Sequence, residues 1–135
     1  MTVPGTRTVM ERYFSAMSAD EDFSRCFTAD VTWLMVDSGE QVCGPGPVRD
    51  YVLRLHGRMR SGDQRPLVVS DAHAMLEGDQ VNGGAGHGTG LAYCLVYDIT
   101  GELISAMRCY GTIARLMAQD AAGDEPSPGV SDRSR

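Results

Sequence analysis

The hydrophobic pattern of the chain changes at Ser61-Gly62-Asp63. Before this point, apolar residues recur at helical spacing within residues 6–17 and 47–60, and a short helix is predicted around residues 23–27. After it, strand-length apolar segments are separated by turns of only a few residues. Because strands joined by such short turns are antiparallel neighbours, the second half of the chain predicts an antiparallel sheet.

One predicted hairpin precedes the third helix, and four predicted strands follow it. The hairpin pairs residues 31–37 with residues 41–43 through Ser38-Gly39, which is typical of a turn. Three N-terminal helices can pack on one face of a curved, mainly antiparallel sheet. The fold class is therefore α+β, with a cone whose open end forms a pocket. The four later strands are assigned to residues 66–76, 81–88, 91–98 and 103–116.

Composition excludes several kinds of chemistry. All 12 basic residues are arginine, so a lysine Schiff base, a lysine general base and a phosphate-loop lysine are excluded. The formal net charge of -6 argues against nucleic-acid binding.

A chain of 135 residues suits a single domain, predicted over residues 1–119. Residues 120–135 are rich in Asp, Gly, Pro and Ser and are predicted to be a disordered tail.

The cysteines and histidines do not have the spacing of a metal site. The four cysteines lie too far apart for a zinc ribbon, and buried free thiols in a reducing cytosol are the simplest interpretation. We therefore expect no metal and no cofactor.

No segment approaches the ~20 apolar residues that span a bilayer, and the N-terminus lacks an apolar signal core. These features predict a cytoplasmic protein without a membrane partner.

Several short motifs together resemble the NTF2-like superfamily, over roughly residues 8 to 116. The superfamily includes ketosteroid isomerase, the SnoaL-type polyketide cyclases and limonene epoxide hydrolase. The resemblance implies a cone-shaped fold, a small hydrophobic molecule as ligand, and a homodimer formed through the sheet. The motifs are Glu11-Arg12-Tyr13, residues 27–33, residues 44–51, residues 101–104 and Arg108-Cys109-Tyr110-Gly111.

The resemblance also suggests site residues. In ketosteroid isomerase a carboxylate moves a proton next to a carbonyl, while a tyrosine and a protonated aspartic acid donate hydrogen bonds to the oxygen. Tyr13 matches the tyrosine, Met35 falls at the position of the carboxylate, and Tyr93 falls near the second donor. Asp37 shares a strand face with Trp33 and Met35, which makes it a candidate proton carrier. An Asp just before Ser-Gly is also a normal turn residue, and this structural role is the stronger alternative for Asp37.

The histidines are further candidates near neutral pH. His87 lies among glycines and is predicted to reach the cavity as a proton carrier, and His73 is predicted to contact the ligand from its strand. A structural or surface role is the alternative for both. His56 falls at the edge of the apolar stripe of the third helix. Tyr51 and Met107 are predicted to complete the apolar wall of the pocket.

The resemblance implies two functions for these residues, and the substrate class named below comes from the resemblance alone. The preferred one is a cofactor-independent isomerase or cyclase acting on a hydrophobic polyketide- or polyene-type intermediate of bacterial secondary metabolism, such as antibiotic biosynthesis. Asp37 or His87 would move a proton, and Tyr13 and Tyr93 would hold the oxygen that gains charge. The alternative is a non-catalytic module that binds a hydrophobic ligand or only dimerises, which Met35 in place of an acid favours. An epoxide hydrolase ranks last.

Overall fold

The computed structural model describes residues 5–59, 62–80 and 91–117. These ranges contain two long α-helices, α1 (Thr6–Ser18) and α2 (Pro45–Arg58), a 3₁₀ helix at Phe23–Cys26 and a short helical segment at residues 114–117. No helix within them is long and apolar enough to cross a membrane. The strands are β1 (Phe27–Met35), β2 (Glu40–Cys43), β3 (Gly62–Gln64), β4 (Val68–Val69), β5 (His73–Gln80), β6 (Leu91–Thr100) and β7 (Leu103–Tyr110).

Both α-helices follow the predicted apolar stripes. The stripe of α1 buries Val9, Met10 and Tyr13, which recur at helical spacing. Helix α2 begins after Gly44, whose φ of 96° suits glycine, and Pro45 occupies the first turn, where its missing N–H costs no hydrogen bond. The second of the three predicted helices is only the short 3₁₀ helix, because its four residues complete little more than one turn.

The strands form one mixed sheet with the order β2-β1-β7-β6-β5-β3, and β4 also pairs with β5. Strands β1 and β7 are parallel, and every other pair is antiparallel. The predicted hairpin is present as β1 and β2. Strand β1 begins at Phe27, four residues before the predicted strand over residues 31–37, and ends at Met35. Register shifts beside Phe27 and beside Asp98 are irregularities of the kind that bend a sheet, and the sheet is curved.

The predicted strand over residues 66–76 is wrong, because the chain turns at residues 70–72. Ser70 donates its N–H to the carbonyl of His73, so β4 and β5 form a hairpin. Residues 77–80, predicted to be a turn, extend β5 and pair with β6 up to Gln80 opposite Leu91. Pairing with a neighbouring strand outweighs the poor strand propensity of these residues. The predicted strand over residues 81–88 and the predicted tail over residues 120–135 lie outside the described residues.

The predicted last strand, over residues 103–116, ends earlier than expected. Strand β7 stops at Tyr110, and Gly111 turns the chain with a φ of 124°. Residues 114–117 are helical, and both Ile113, which directly precedes them, and Leu116 are buried in the core. The four cysteines are free thiols, as predicted, although only Cys109 is buried.

Candidate functional site

A cavity of about 580 Å³ lies between the two α-helices and the concave face of the sheet. Its volume falls within the range of roughly 300 to 1,000 Å³ that is typical of small-molecule pockets. Most of the wall is apolar, and Val52 and Leu55 from α2 belong to it. Five aromatic side chains line the cavity: Tyr13, Phe14, Trp33, Tyr93 and Tyr97.

The aromatic rings at the α1 side of the cavity hold one another in fixed orientations. The ring of Tyr13 lies edge-on to Phe23 at a centroid distance of 5.5 Å and to Tyr97 at 6.1 Å. Phe14 packs edge-on against Tyr97 at 6.4 Å. Edge-to-face contacts of this kind are favourable because the positive edge of one ring meets the negative face of another. The two phenol groups therefore sit in a rigid aromatic wall.

The hydroxyls of Tyr13 and Tyr97 are poorly satisfied hydrogen-bond donors. The Tyr13 hydroxyl donates to Sδ of Met107 at 3.9 Å, and a thioether sulfur is a weak acceptor. Within the described part of the chain, the Tyr97 hydroxyl makes no hydrogen bond. Burial raises the pKa of both tyrosines, so both hydroxyls stay protonated at neutral pH. Both can donate to an oxygen of a bound molecule.

Tyr93 is placed by a glycine on the neighbouring strand. Gly78 lies opposite Tyr93 in the β5–β6 pairing. A Cβ atom at Gly78 would lie 2.6 Å from the Tyr93 hydroxyl oxygen, closer than carbon and oxygen can approach. Nε2 of Gln64 on β3 donates to the same oxygen at 3.3 Å. The absent side chain at Gly78 therefore makes room for the phenol.

Two further titratable groups line the cavity. His56 lies in the last turn of α2 at a solvent-exposed part of the wall, and partial burial lowers the pKa of its imidazole. Burial raises the pKa of the Cys109 thiol to about 12, so this thiol is protonated at neutral pH. The described lining residues include no Asp, Glu or Arg. Nowhere in residues 5–59, 62–80 and 91–117 do three or more His, Cys, Asp or Glu side chains form a group that could hold a metal ion.

Of the residues predicted for the site, Tyr13, Trp33 and Tyr93 line this cavity. Met35 and Met107 are fully buried in the core without lining it. Tyr51 is also buried outside the lining, and its hydroxyl donates to Oε1 of Glu40 at 2.8 Å.

The predicted proton carriers lie elsewhere. Asp37 is exposed, and its Oδ1 accepts the N–H of Gly111 at 3.0 Å, so it holds the turn rather than lining the cavity. His73 is exposed on the opposite, outer face of the sheet, where Nδ1 lies 2.9 Å from Oδ1 of Asp98. His87 lies outside the described residues.

Sequence reasoning did not predict several polar side chains that line the cavity, among them Tyr97, His56, Gln64 and Ser18. Tyr97 lies on the same face of β6 as Tyr93, so strand alternation could have found it. His56 follows Val52 by four residues, and the helical spacing placed it only at the edge of the stripe. Gln64 carried no signal, because β3 is a three-residue strand of polar composition.

No protein-family model and no curated protein sequence matches this chain. Several solved structures match the chain in fold. A steroid delta-isomerase from Pseudomonas aeruginosa is 9% identical with a TM-score of 0.71, and the match covers 90% of this chain and 97% of that one. An NTF2-like protein of unknown function from Cytophaga hutchinsonii is 18% identical with a TM-score of 0.61, covering 79% of this chain and 99% of that one. A SnoaL-like protein from Shewanella putrefaciens is 10% identical with a TM-score of 0.59, covering 87% and 86%.

At these identities the likeness is one of fold, and a fold of this kind carries many unrelated functions. The matched structures agree with the features described above, which are a curved mixed sheet and helices packed on its concave face. They also agree with the superfamily that the sequence motifs predicted. The chain therefore has the NTF2-like fold.

Proposed function

We propose that this protein is a cofactor-independent isomerase or cyclase that binds a neutral, hydrophobic carbonyl compound in the cavity. The proposal depends on one observation. Tyr13 and Tyr97, whose hydroxyls stay protonated, line an apolar cavity whose described lining includes no Asp, Glu or Arg. Solved proteins of the same fold include a steroid delta-isomerase and a SnoaL-like protein, which supports this choice of reaction class.

The lining favours an uncharged ligand with a hydrogen-bond acceptor. An ion buried without a partner costs far more free energy than apolar burial returns, and the described lining offers no countercharge. A carbonyl oxygen can accept the hydrogen bond that a protonated phenol hydroxyl donates. Because Met107 sulfur is a weak acceptor for Tyr13, a ligand oxygen would replace it with a gain of hydrogen-bond energy.

The same two hydroxyls would stabilise the charge that develops during reaction. Removal of a proton from the carbon next to a carbonyl moves an electron pair toward the carbonyl oxygen. Tyr13 and Tyr97 are buried side chains, and hydrogen-bond donors that are shielded from water stabilise such charge strongly. We take the substrate class, a polyketide- or polyene-type intermediate of bacterial secondary metabolism, from the sequence resemblance, and the cavity volume suits it.

One observation favours the alternative, a binding module without catalysis. Met35, at the position where the resemblance expects a carboxylate, is fully buried, and Asp37 is held by Gly111. No carboxylate of the described residues lines the cavity. Catalysis therefore requires a proton carrier other than an acid on β1.

The two functions differ in whether a bound ketone exchanges its protons. We suggest 2-tetralone as the probe, with binding followed by ligand NMR and exchange of its C1 and C3 protons measured in D₂O. The wild-type protein is expected to bind it and to exchange these protons faster than buffer. Tyr13→Phe should slow exchange about tenfold, which corresponds to one lost hydrogen bond of about 1.4 kcal/mol. Tyr110→Phe, the matched change on the outer face, should behave like the wild type.

The outcomes separate the proposals. Binding without exchange above buffer would favour the binding module over the enzyme. Absence of binding by the wild-type protein would contradict both.

A further inference from the structure

The proposed function requires a group that removes the proton, and we propose that His56 is this general base. The inference rests on the proposed function, because His56 would act on the carbon next to the carbonyl that Tyr13 and Tyr97 hold. Its position on α2 differs from those of Asp37 and His87, the two proton carriers that the sequence predicted.

The helix geometry places His56 on the cavity wall. Its neighbours on α2 at the preceding position and four residues earlier, Leu55 and Val52, both line the cavity, and Met59 three residues later lines it as well. The backbone carbonyl of His56 accepts the N–H of Met59 at the end of the helix. Within the described part of the chain, the imidazole itself makes no hydrogen bond. Its nitrogens are therefore available to a ligand.

The other polar groups of the cavity are unsuited to accept a proton near neutral pH. Tyr13 and Tyr97 remain protonated, and the Cys109 thiol has a pKa of about 12. Gln64 and Ser18 do not titrate. Among the described lining residues, imidazole is thus the side chain whose ordinary pKa lies close to the operating pH of a cytosolic enzyme.

The surroundings keep this imidazole in its basic form. Partial desolvation against the cavity wall lowers its pKa below the ordinary value of about 6.5, so this solvent-exposed ring is neutral at pH 7. On its own helix, Arg54 lies over the Tyr51 ring at 5.3 Å, and Arg58 donates to the carbonyl of Arg54. The titratable side chains that face the cavity from the other elements are Tyr13 on α1, Tyr93 and Tyr97 on β6, and Cys109 on β7.

The proposed step is balanced within the ligand and the protein. A nitrogen of His56 takes the proton, and the C–H electron pair forms a double bond to the carbonyl carbon. The carbonyl π pair moves to the oxygen, which accepts hydrogen bonds from Tyr13 and Tyr97. The imidazolium then returns the proton to another carbon of the conjugated system, which gives an isomer, and no oxidant or reductant is consumed.

The test compares His56→Gln with His73→Gln, the same change on the outer face, where the side chain of His73 is 61% exposed. With 2-tetralone in D₂O, His56→Gln should bind within about twofold of the wild type but exchange about 100-fold more slowly, a usual loss for a general base. His73→Gln should keep wild-type exchange. The wild-type rate above buffer should fall as the pH drops through the lowered pKa of His56, and His56→Gln should lack this acid limb.

A second variant distinguishes chemistry from structure. His56→Ala should also lose exchange, and added imidazole should restore it, whereas a purely structural role would not respond to imidazole. Wild-type exchange in His56→Gln would overturn the inference and leave the proposed function standing. Failure of the wild-type protein to exchange at all would remove both.

Discussion

The two faces of the sheet are built from the same strands but satisfy their polar groups differently. At the concave face, the hydroxyl of Tyr13 from α1 donates only to the sulfur of Met107. The hydroxyl of Tyr97 from β6 makes no hydrogen bond within the described part of the chain. On the outer face, Asp98 accepts two hydrogen bonds from Arg108, at 2.8 and 2.9 Å, and its Oδ1 lies 2.9 Å from Nδ1 of His73. The concave face leaves donors for a ligand, whereas the outer face pairs its charges internally.

This difference assigns separate roles to the two faces. The concave face combines most of the apolar core with the cavity, so its substitutions should change both stability and ligand binding. The outer face exposes apolar side chains such as Met75 and Tyr110 beside its charged cluster. The homodimer implied by the sequence resemblance would use this sheet, and it stays a prediction.

The largest expected difference between the faces concerns apolar side chains. Trp33→Ala should lower the free energy of unfolding by about 3 to 5 kcal/mol, because it removes a fully buried ring and enlarges the cavity. Met75→Ala on the outer face should cost less than about 1 kcal/mol, since that side chain is 42% exposed. Urea unfolding at pH 7 measures both. Equal losses would contradict the assignment of the core to the concave face.

The sequence predicted the elements whose own pattern is strong. The stripes of α1 and α2 and the hairpin of β1 and β2 follow from local periodicity and turn chemistry. The region of β3 to β5 was predicted poorly because pairing between strands decides where they lie, and local pattern does not encode it. Strand β5 pairs with β6, and β3 and β4 both pair with β5. The superfamily motifs supplied the overall fold without depending on this region.

The candidate site shows the same limit at single residues. Asp37 has the same parity as Trp33, but β1 ends at Met35, so alternation no longer applies where the turn begins. On β5, His73 and Met75 lie on the outer face of the sheet, so His73 does not reach the cavity. The buried face carries Ala74, Leu76 and Gly78, and its hydrophobic signal is weak because Leu76 is the one large side chain of the three.

A smaller effect is expected where the concave face is crowded. Gly78→Ala would place a Cβ atom 2.7 Å from Cζ of Tyr93 and 2.9 Å from the carbonyl oxygen of Asp63. The ring must shift, so the free energy of unfolding should fall by about 1 to 3 kcal/mol, a usual cost of overpacking. Gly57 lies at an exposed position of α2, where an added Cβ atom would have no neighbour within 4 Å. Gly57→Ala should therefore stabilise the protein by up to about 1 kcal/mol. Thermal unfolding distinguishes the signs, and a neutral Gly78→Ala would show that Tyr93 is free to move.

The smallest effect belongs to the outer face and depends on pH. Hydrogen bonds from Arg108, and the contact with His73, hold the pKa of Asp98 below its ordinary range. A carboxyl whose pKa is lower in the folded state stabilises the protein above its unfolded-state value of about 3.9 and loses this contribution as the pH falls through the folded-state value. Asp98→Asn should therefore cost about 1 kcal/mol at pH 7, the upper end for a partly exposed pair, and less at pH 3.

Glu102→Gln is the matched control for this charge. Its pair with Arg12 is 3.4 Å long and has 53% of each side chain exposed, so its removal should change stability by no more than a few tenths of a kcal/mol. Urea unfolding of both variants at pH 7 and pH 3 tests the contrast. Two results would contradict a stabilising role for the Asp98–Arg108 pair. The first is an equal decrease in the free energy of unfolding for both substitutions, and the second is a decrease in Asp98→Asn that grows toward acid pH. The contrast with the unsatisfied donors of the concave face would then rest on the cavity alone.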